Sequence, residues 1–217
     1  MKLIVMENSM RGATDVLGVF DLKGSMVNRI VKGKNHKPTT TLKDKNLLAM
    51  NTEKLWLRFS AKDRKDIMHI MRVDVKLLQT YNLMDYSLLT CIQENPEFVN
   101  VLREFRSRES GNTTLSSQNT LAGRNMSLGS TSGEVAEVRR RFQGNRHKFL
   151  SSCGRYIYHI GIIDYLQDYN FDKKLENLAK YHIMMKGPGI SAVPPPKYAE
   201  RFLNFMRSQL IIDQKQS

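Results

Sequence analysis

The chain has 217 residues, is 41% hydrophobic and carries a formal net charge of +13. This apolar content is sufficient for one substantial core. No apolar run approaches the ~20 residues of a membrane span, and the first residues lead into a short strand-like segment, so we expect neither a span nor a secretory signal.

The cysteines, histidines and basic residues narrow the function further. Cys91 and Cys153 lie at neither metal-ligand nor redox-motif spacing, and the five histidines are scattered, so free thiols are expected and a zinc site is not. The positive charge favours contact with polyanions. The chain lacks the interleaved aromatic platforms or recognition helix of nucleic-acid-binding modules, but charge alone does not choose among nucleic acid, anionic lipid and nucleotide phosphate.

In the first half, two short strands are predicted at 2–6 and 16–22, joined as a hairpin by a polar turn. A helix is predicted from Ser60 to about Tyr81, with Asp63 completing a capping box. Apolar residues at helical spacing predict its core-facing side: Ile67, Ile70, Met71, Val75, Leu78 and Tyr81.

In the second half, residues 107–133 are rich in Ser, Thr, Asn and Gly and predict a disordered insert. A strand is predicted at 156–163 and a short helix at 173–181. The prolines at 194–196 argue against regular structure there. A last helix from 197 to about 210 sets Tyr198, Phe202, Phe205 and Met206 on its apolar face.

Two aspartates stand alone in apolar surroundings. Asp85 lies in the apolar run 83–89, and Asp164 lies in the run 161–167. A carboxylate in such a run is costly to bury unless it has a cation, a metal or a hydrogen-bond partner. Lys23 and Gly24 follow the strand predicted at 16–22. The three segments could converge on one metal–phosphate site, although a structural role for each acid stays open.

Five motifs occur in order: DLKGS at 21–25, MDYSLL at 84–89, IDY at 163–165, DKKLE at 172–176 and YAERF at 198–202. Together they resemble the phosphatidylinositol phosphate kinases, a family of lipid kinases, and the resemblance spans nearly the whole chain. It implies an α+β fold, the C-terminal lobe of a protein-kinase-like core with antiparallel strands and helices, over residues 1–217. Because 3–8 resembles the strand entering the hinge between the lobes, most of the N-terminal lobe is expected to be missing.

The resemblance implies transfer of the ATP γ-phosphate to the 5-hydroxyl of a phosphatidylinositol phosphate. Asp85 matches the catalytic-loop aspartate, and Asp164 matches the aspartate that holds ATP-bound Mg²⁺. Lys23 matches a lysine directed toward phosphate. The hinge residues Met6, Glu7 and Asn8, with Lys23, are expected to bind the nucleotide.

The resemblance also implies a second set of residues that bind the lipid substrate. Arg29 is expected to contact its phosphate, and Lys173 and Lys174 its anionic head group and the membrane surface. Glu176 stands where the family's 5-kinases carry glutamate and its 4-kinases carry alanine. The YAERF motif favours phosphatidylinositol 4-phosphate, whereas residues 24–29 and the IDY and DKKLE motifs resemble enzymes acting on phosphatidylinositol 3-phosphate.

The expected setting is therefore cytoplasmic, with peripheral association at the plasma membrane or an endomembrane. The alternative is a non-catalytic phosphoinositide-binding or regulatory fragment, because no glycine-rich phosphate-covering loop precedes Met6. Thr90 stands where many kinase-like sites carry a metal-binding asparagine, as expected if this family holds its metal differently. Nucleic-acid binding through the charge of +13 ranks third.

Overall fold

The computed structural model describes residues 7–33, 36–53, 56–101, 103, 147–165, 167–168 and 193–212. These residues form a mixed α+β fold, as predicted, with a five-stranded sheet and helices packed around one apolar core. The predicted strand at 2–6, the insert at 107–133 and the helix at 173–181 lie outside the described residues.

The main sheet has the order β2-β1-β5-β7-β6. Its strands are β1 (Val16–Leu22), β2 (Thr41–Lys43), β5 (Ser87–Glu94), β6 (Lys148–Leu150) and β7 (Tyr156–Ile163). Strands β1 and β2 are parallel, and the other neighbours are antiparallel. The structure confirms the strands predicted at 16–22 and 156–163.

Two small sheets flank the main one. Strand β3 (Arg58–Phe59) pairs in parallel with β9 (Ile211–Ile212). Strand β4 (Leu83–Met84) pairs antiparallel with β8 (Gln167–Asp168). The second of these sheets matters for the site, because its strands directly precede β5 and follow β7.

Helices α1 (Asp44–Met50), α2 (Ala61–Thr80) and α3 (Pro195–Gln209) contribute residues to the apolar core. The predicted cap of α2 is confirmed, since the Ser60 hydroxyl accepts the Asp63 N–H at 3.0 Å. The structure corrects the start of α3. Pro195 and Pro196 form its first turn, where a fixed φ suits a helix and a missing N–H costs no hydrogen bond.

The predicted apolar face of α2 is only partly correct. Ile67, Met71, Val75 and Leu78 are buried as expected, and Met68 joins them. Ile70 is 45% exposed and Tyr81, the residue that follows the helix, is 67% exposed. Residue 70 lies about 60° around the helix from residue 67, at 100° per residue, on the side away from the core stripe.

Two further expectations concern membranes and thiols. Among the residues that the structure describes, none of the helices combines the length and apolar character needed to cross a bilayer. Cys91 is a buried free thiol and Cys153 is an exposed one, which confirms the prediction of free cysteines.

Candidate active site

The register of the central strands brings three distant chain segments to one end of the sheet. Leu22, the last residue of β1, pairs with Leu88 near the start of β5. Ser87, the first residue of β5, pairs with Ile163, the last residue of β7. The residues just outside these strands therefore meet at the same edge. They are Lys23 after β1, Asp85 before β5 and Asp164 after β7.

Both aspartates occupy corners of paired strands. Asp85 lies between β4 and β5, and Asp164 follows β7 shortly before β8. Strands β4 and β8 pair with each other, with Met84 opposite Gln167. Asp85 has φ 65° and Asp164 has φ 60°, in the left-handed region that few residues other than glycine adopt. Two neighbouring segments of the chain therefore each turn at an aspartate whose backbone conformation is strained. Backbone strain of this kind is often concentrated at functional sites.

Lys23 and Asp85 form an ion pair. The Lys23 Nζ lies 3.0 Å from the Asp85 Oδ2, and the two side chains are 11% and 38% exposed. The lysine is thus held mostly out of water against a more accessible carboxylate. Asp164 is exposed at the adjacent corner. The predicted catalytic residues are therefore brought to one place.

Asp44, at the start of α1, holds the turn that carries Lys23. Its side chain is fully buried, and its Oδ1 accepts the backbone N–H groups of Lys23 at 3.0 Å and of Gly24 at 2.8 Å. Its Oδ2 accepts from Arg29 Nε at 2.7 Å. Sequence reasoning missed Asp44, because an acid in the first turn of a helix usually faces solvent and stabilises the dipole.

Arg29 links two carboxylates beneath the site. It is buried, and its Nη2 donates to the Asp21 carboxylate at 3.1 Å and to the Asp21 carbonyl. Burial alone would lower the pKa of Arg29, but the hydrogen bond to Asp44 and the charges of both carboxylates outweigh it and raise the pKa. The expected contact of Arg29 with substrate phosphate stays a prediction, since these donors serve protein acceptors here.

Helix α3 supports the site from behind. The Tyr198 hydroxyl donates to the carbonyl oxygen of Tyr86, the residue after Asp85. The Tyr198 and Tyr86 rings meet edge to face at 4.7 Å, and Phe202 contacts Tyr86 at 5.2 Å. Burial raises the pKa of Tyr198, and the negative charge of Asp85 raises it further, so the phenol stays a neutral donor. The YAERF motif therefore supports the Asp85 corner.

Arg201, a residue of α3, interacts electrostatically with the carboxylates of the site. Its guanidinium lies 4.8 Å from the centre of the Tyr198 ring. Burial lowers the pKa of Arg201, while Tyr198, Asp44 and Asp85 oppose that shift. Arg201 thus adds positive charge close to both buried and exposed carboxylates.

Gly24 allows α3 to approach this closely. A Cβ at Gly24 would lie 3.0 Å from Phe205 Cβ and 3.1 Å from the Arg201 carbonyl oxygen. Its φ of 67° is also in the left-handed region. The turn after β1 therefore requires glycine for both space and conformation.

Of the predicted hinge residues, the structure describes Glu7 and Asn8, which directly precede a residue packed against β7. Glu7 Oε2 is 3.4 Å from His147 Nε2, and Asn8 Oδ1 accepts the Met10 N–H at 3.0 Å. A Cβ at Gly161 would lie 3.1 Å from Ser9 Cβ, so this segment packs against the strand that ends at Asp164. Their role in nucleotide binding stays a prediction.

The remaining site predictions lie on residues that are not described. Met6, Lys173, Lys174 and Glu176 lie outside the described residues. Their predicted contacts with nucleotide, head group and membrane are therefore not tested by the structure.

The carboxylates fit the expected divalent metal. Within the described ranges, no group of three or more His, Cys, Asp or Glu side chains forms a cage. Mg²⁺ usually keeps several waters and binds one or two carboxylates together with substrate phosphates. Asp164, with Asp85 on the neighbouring corner, supplies oxygen donors of this kind.

The fold and site define an α+β protein whose paired lysine and aspartate, with a second aspartate beside them, suit phosphate chemistry. The sequence matches the family model Phosphatidylinositol-4-phosphate 5-Kinase over residues 1–209. The chain belongs to the phosphatidylinositol phosphate kinase family.

Relatives of two named specificities match the chain. Phosphatidylinositol 5-phosphate 4-kinase type-2 gamma of Homo sapiens is 31% identical, over 94% of this chain and 52% of the relative. Phosphatidylinositol 4-phosphate 5-kinase its3 of Schizosaccharomyces pombe is 29% identical, over 95% and 32%. Phosphatidylinositol 4-phosphate 5-kinase type-1 beta of Mus musculus is 28% identical, over 97% and 40%. The chain spans about half the length of these relatives or less.

Proposed function

We propose that this chain carries the phosphoryl-transfer residues of an ATP-dependent phosphatidylinositol phosphate kinase. The observation that carries the proposal is the convergence of Lys23, Asp85 and Asp164 at one end of the β1-β5-β7 sheet. Family membership supports the same reaction class. We also propose that the described fold is the C-terminal lobe of the kinase core.

In the proposed mechanism, Asp85 accepts the proton of the attacking inositol hydroxyl. Asp85 stands at a left-handed corner just before β5 and its side chain is 38% exposed, so a substrate can reach the carboxylate. Lys23 keeps that carboxylate oriented through the 3.0 Å ion pair. When phosphate approaches, the same ammonium can stabilise the charge that builds up on the transferred group.

Asp164 is the proposed holder of Mg²⁺. Its position next to Asp85, across the Ser87–Ile163 pair, would let its carboxylate hold Mg²⁺ beside bound ATP. Bound Mg²⁺ would supply charge neutralisation at the phosphates. The proposed contacts for the nucleotide are Met6, Glu7 and Asn8, next to Ser9, which packs against β7.

The proposed acceptor is the 5-hydroxyl of phosphatidylinositol 4-phosphate. The support is Glu176, which matches the 5-kinase pattern, and the YAERF motif. The named relatives include both 4-kinases and 5-kinases, so specificity requires its own experiment. Glu176→Ala is expected to change the preference among phosphatidylinositol monophosphates without changing lipid-independent ATP hydrolysis. An unchanged preference would reject Glu176 as the determinant.

The proposed place of action is the cytoplasmic face of a membrane. The support is the net charge of +13 and the basic pair Lys173 and Lys174. Each basic residue near an anionic bilayer contributes ~1 kcal/mol of binding free energy. Arg29, which is ion-paired with Asp21 and Asp44, is the proposed contact for the phosphate of the lipid.

Transfer of phosphate from γ-labelled ATP to phosphatidylinositol 4-phosphate vesicles tests the reaction. The assay compares the unaltered protein with the variants Asp85→Asn and Asp164→Asn and with the control variant Asp66→Asn. Asp66 is an exposed acid on α2, away from the site. Loss of a general base typically lowers the rate by about 10²- to 10⁴-fold.

The two site variants differ in a second readout. Asp164→Asn should also abolish ATP hydrolysis without lipid, because removal of a metal ligand disables transfer to any acceptor. Full activity of Asp85→Asn would reject the mechanism. Binding to phosphoinositide vesicles without Mg²⁺-dependent ATP binding or phosphate transfer by the unaltered protein would favour the non-catalytic alternative.

A further inference from the structure

The best-satisfied buried acid near the site is outside every motif that the sequence singled out. Asp44 has a fully buried side chain and accepts three hydrogen bonds at 3.0, 2.8 and 2.7 Å. Two of the donors are the backbone N–H groups of Lys23 and Gly24, 21 and 20 residues earlier in the chain. The Asp44 carboxylate, at the start of α1, thus anchors the turn that follows β1.

These hydrogen bonds fix the direction in which Lys23 leaves the backbone. Consecutive N–H groups that converge on one oxygen restrict the peptide planes on both sides of the Lys23 Cα. Gly24, at φ 67°, provides the turn that this arrangement needs. The Lys23 side chain then reaches Asp85, where its Nζ lies 3.0 Å from Oδ2.

The negative charge of Asp44 is balanced within the core. Arg29 donates to Asp44 through Nε and to Asp21 through Nη2. Arg201 adds a second positive charge that interacts with Asp44. A buried ion needs such partners, because removal of one leaves an uncompensated charge. Asp44 is therefore held rigidly, which makes it a suitable anchor.

We propose that Asp44 is a positioning residue, which sets the Lys23 ammonium against Asp85 through the two backbone hydrogen bonds. The inference rests on the proposed function for its catalytic meaning. Its geometric part can be tested without catalysis.

Lysine labelling on the 217-residue chain provides that test. Reductive methylation followed by peptide mass spectrometry measures the labelling rate of Lys23, with the exposed Lys65 as internal reference. Lys23 is 11% exposed and ion-paired, so slow labelling is expected in the unaltered chain. Asp44→Asn should raise the Lys23 rate severalfold, and Asp85→Asn should do the same, while Lys65 is unchanged.

Asn46→Ala is the matched control. Asn46 lies on the same helix and makes the same kind of tether, but to the Val31 backbone at 2.8 and 2.9 Å. Its loss should lower stability without changing Lys23 labelling. An equal rise in Asn46→Ala would indicate general loosening and overturn the proposal. An unchanged Lys23 rate in folded Asp44→Asn would also overturn it.

A second variant covers a failure to fold. Asp44→Glu keeps the charge opposite Arg29 but displaces the carboxylate by one methylene, so Lys23 labelling should again rise. If circular dichroism shows that neither variant folds, Asp44 is a structural residue and the positioning role is rejected.

Activity separates this inference from the proposed function. In the phosphate-transfer assay, Asp44→Asn should lower kcat at least tenfold and change the KM for ATP less than threefold. A labelling response without any effect of Asp85→Asn on transfer would reject the proposed function and leave the positioning role in place. Faster labelling with unchanged kcat would overturn the catalytic meaning of that role.

Discussion

The contact between Tyr198 and Tyr86 gives a sharp test of how α3 supports the Asp85 corner. Both side chains are almost fully buried, and their rings meet edge to face at 4.7 Å. Only Tyr198 has a hydroxyl that donates to the backbone, at the Tyr86 carbonyl. The Tyr86 hydroxyl has no hydrogen-bond partner among the described residues. Tyr198→Phe therefore removes a hydroxyl that donates a hydrogen bond, whereas Tyr86→Phe removes a buried hydroxyl that has no described partner.

The expected magnitudes follow from this difference. Tyr198→Phe keeps the ring contacts but leaves the buried Tyr86 carbonyl without its donor, which costs about 1 to 3 kcal/mol of unfolding free energy. Tyr86→Phe removes a hydroxyl that was desolvated without compensation, so its effect should lie between zero and a gain of about 1 kcal/mol. The pKa of Tyr86 is raised by burial, in agreement with a poorly solvated phenol.

Urea denaturation followed by circular dichroism measures both changes. With a slope of ~2 kcal/mol per M, a loss of ~2 kcal/mol lowers the midpoint by about 1 M. Tyr198→Phe should also lower kcat for phosphate transfer, because Tyr86 directly follows Asp85. A Tyr198→Phe midpoint equal to that of the unaltered protein, with a lowered midpoint for Tyr86→Phe, would refute the assignment of the hydrogen bond.

Two further predictions concern the turn after β1 and the buried thiol. Gly24→Ala should lower the unfolding free energy by about 2 to 4 kcal/mol, from the left-handed φ and the contacts with α3. Gly12→Ala, at a similar φ of 76° but with only the flexible Lys148 Nζ nearby at 3.8 Å, should cost less. Equal losses in urea midpoint would remove the α3 contact from the explanation. Burial raises the pKa of Cys91 to about 11, so a thiol reagent at pH 8 should modify the exposed Cys153 rapidly and Cys91 only on unfolding. Fast native reaction of two thiols per chain would contradict this.

The sequence indicated which acids matter but not how they meet. Asp85 and Asp164 stand out because each is a lone carboxylate in an apolar run, and the family resemblance assigns them roles. Their convergence depends on the Ser87–Ile163 register. Strand pairing across more than 70 residues cannot be derived from local periodicity, because the pattern of each strand fits several partners.

Asp44 and α2 illustrate two other limits of sequence reasoning. An acid in the first turn of a helix carries no local sign of burial, and only the tertiary contact with Lys23 and Gly24 makes Asp44 an anchor. For α2, periodicity correctly predicted the core stripe, but the width of that stripe depends on how closely α3 packs. Ile70 fell outside it.

The paired strain at the two aspartates is explained by the strands around them. Strands β5 and β7 form one antiparallel ladder, and β4 and β8 form another on the far side of the corners. If only one of the two segments turned between the ladders, β4 and β8 could not pair. The backbone must therefore turn at both Asp85 and Asp164. Each left-handed residue costs roughly 1 to 2 kcal/mol, and the β4–β8 pairing with the Tyr198 hydrogen bond offsets that cost. The same features that permit the strain therefore fix the separation of the two carboxylates, which a shared metal–phosphate site requires.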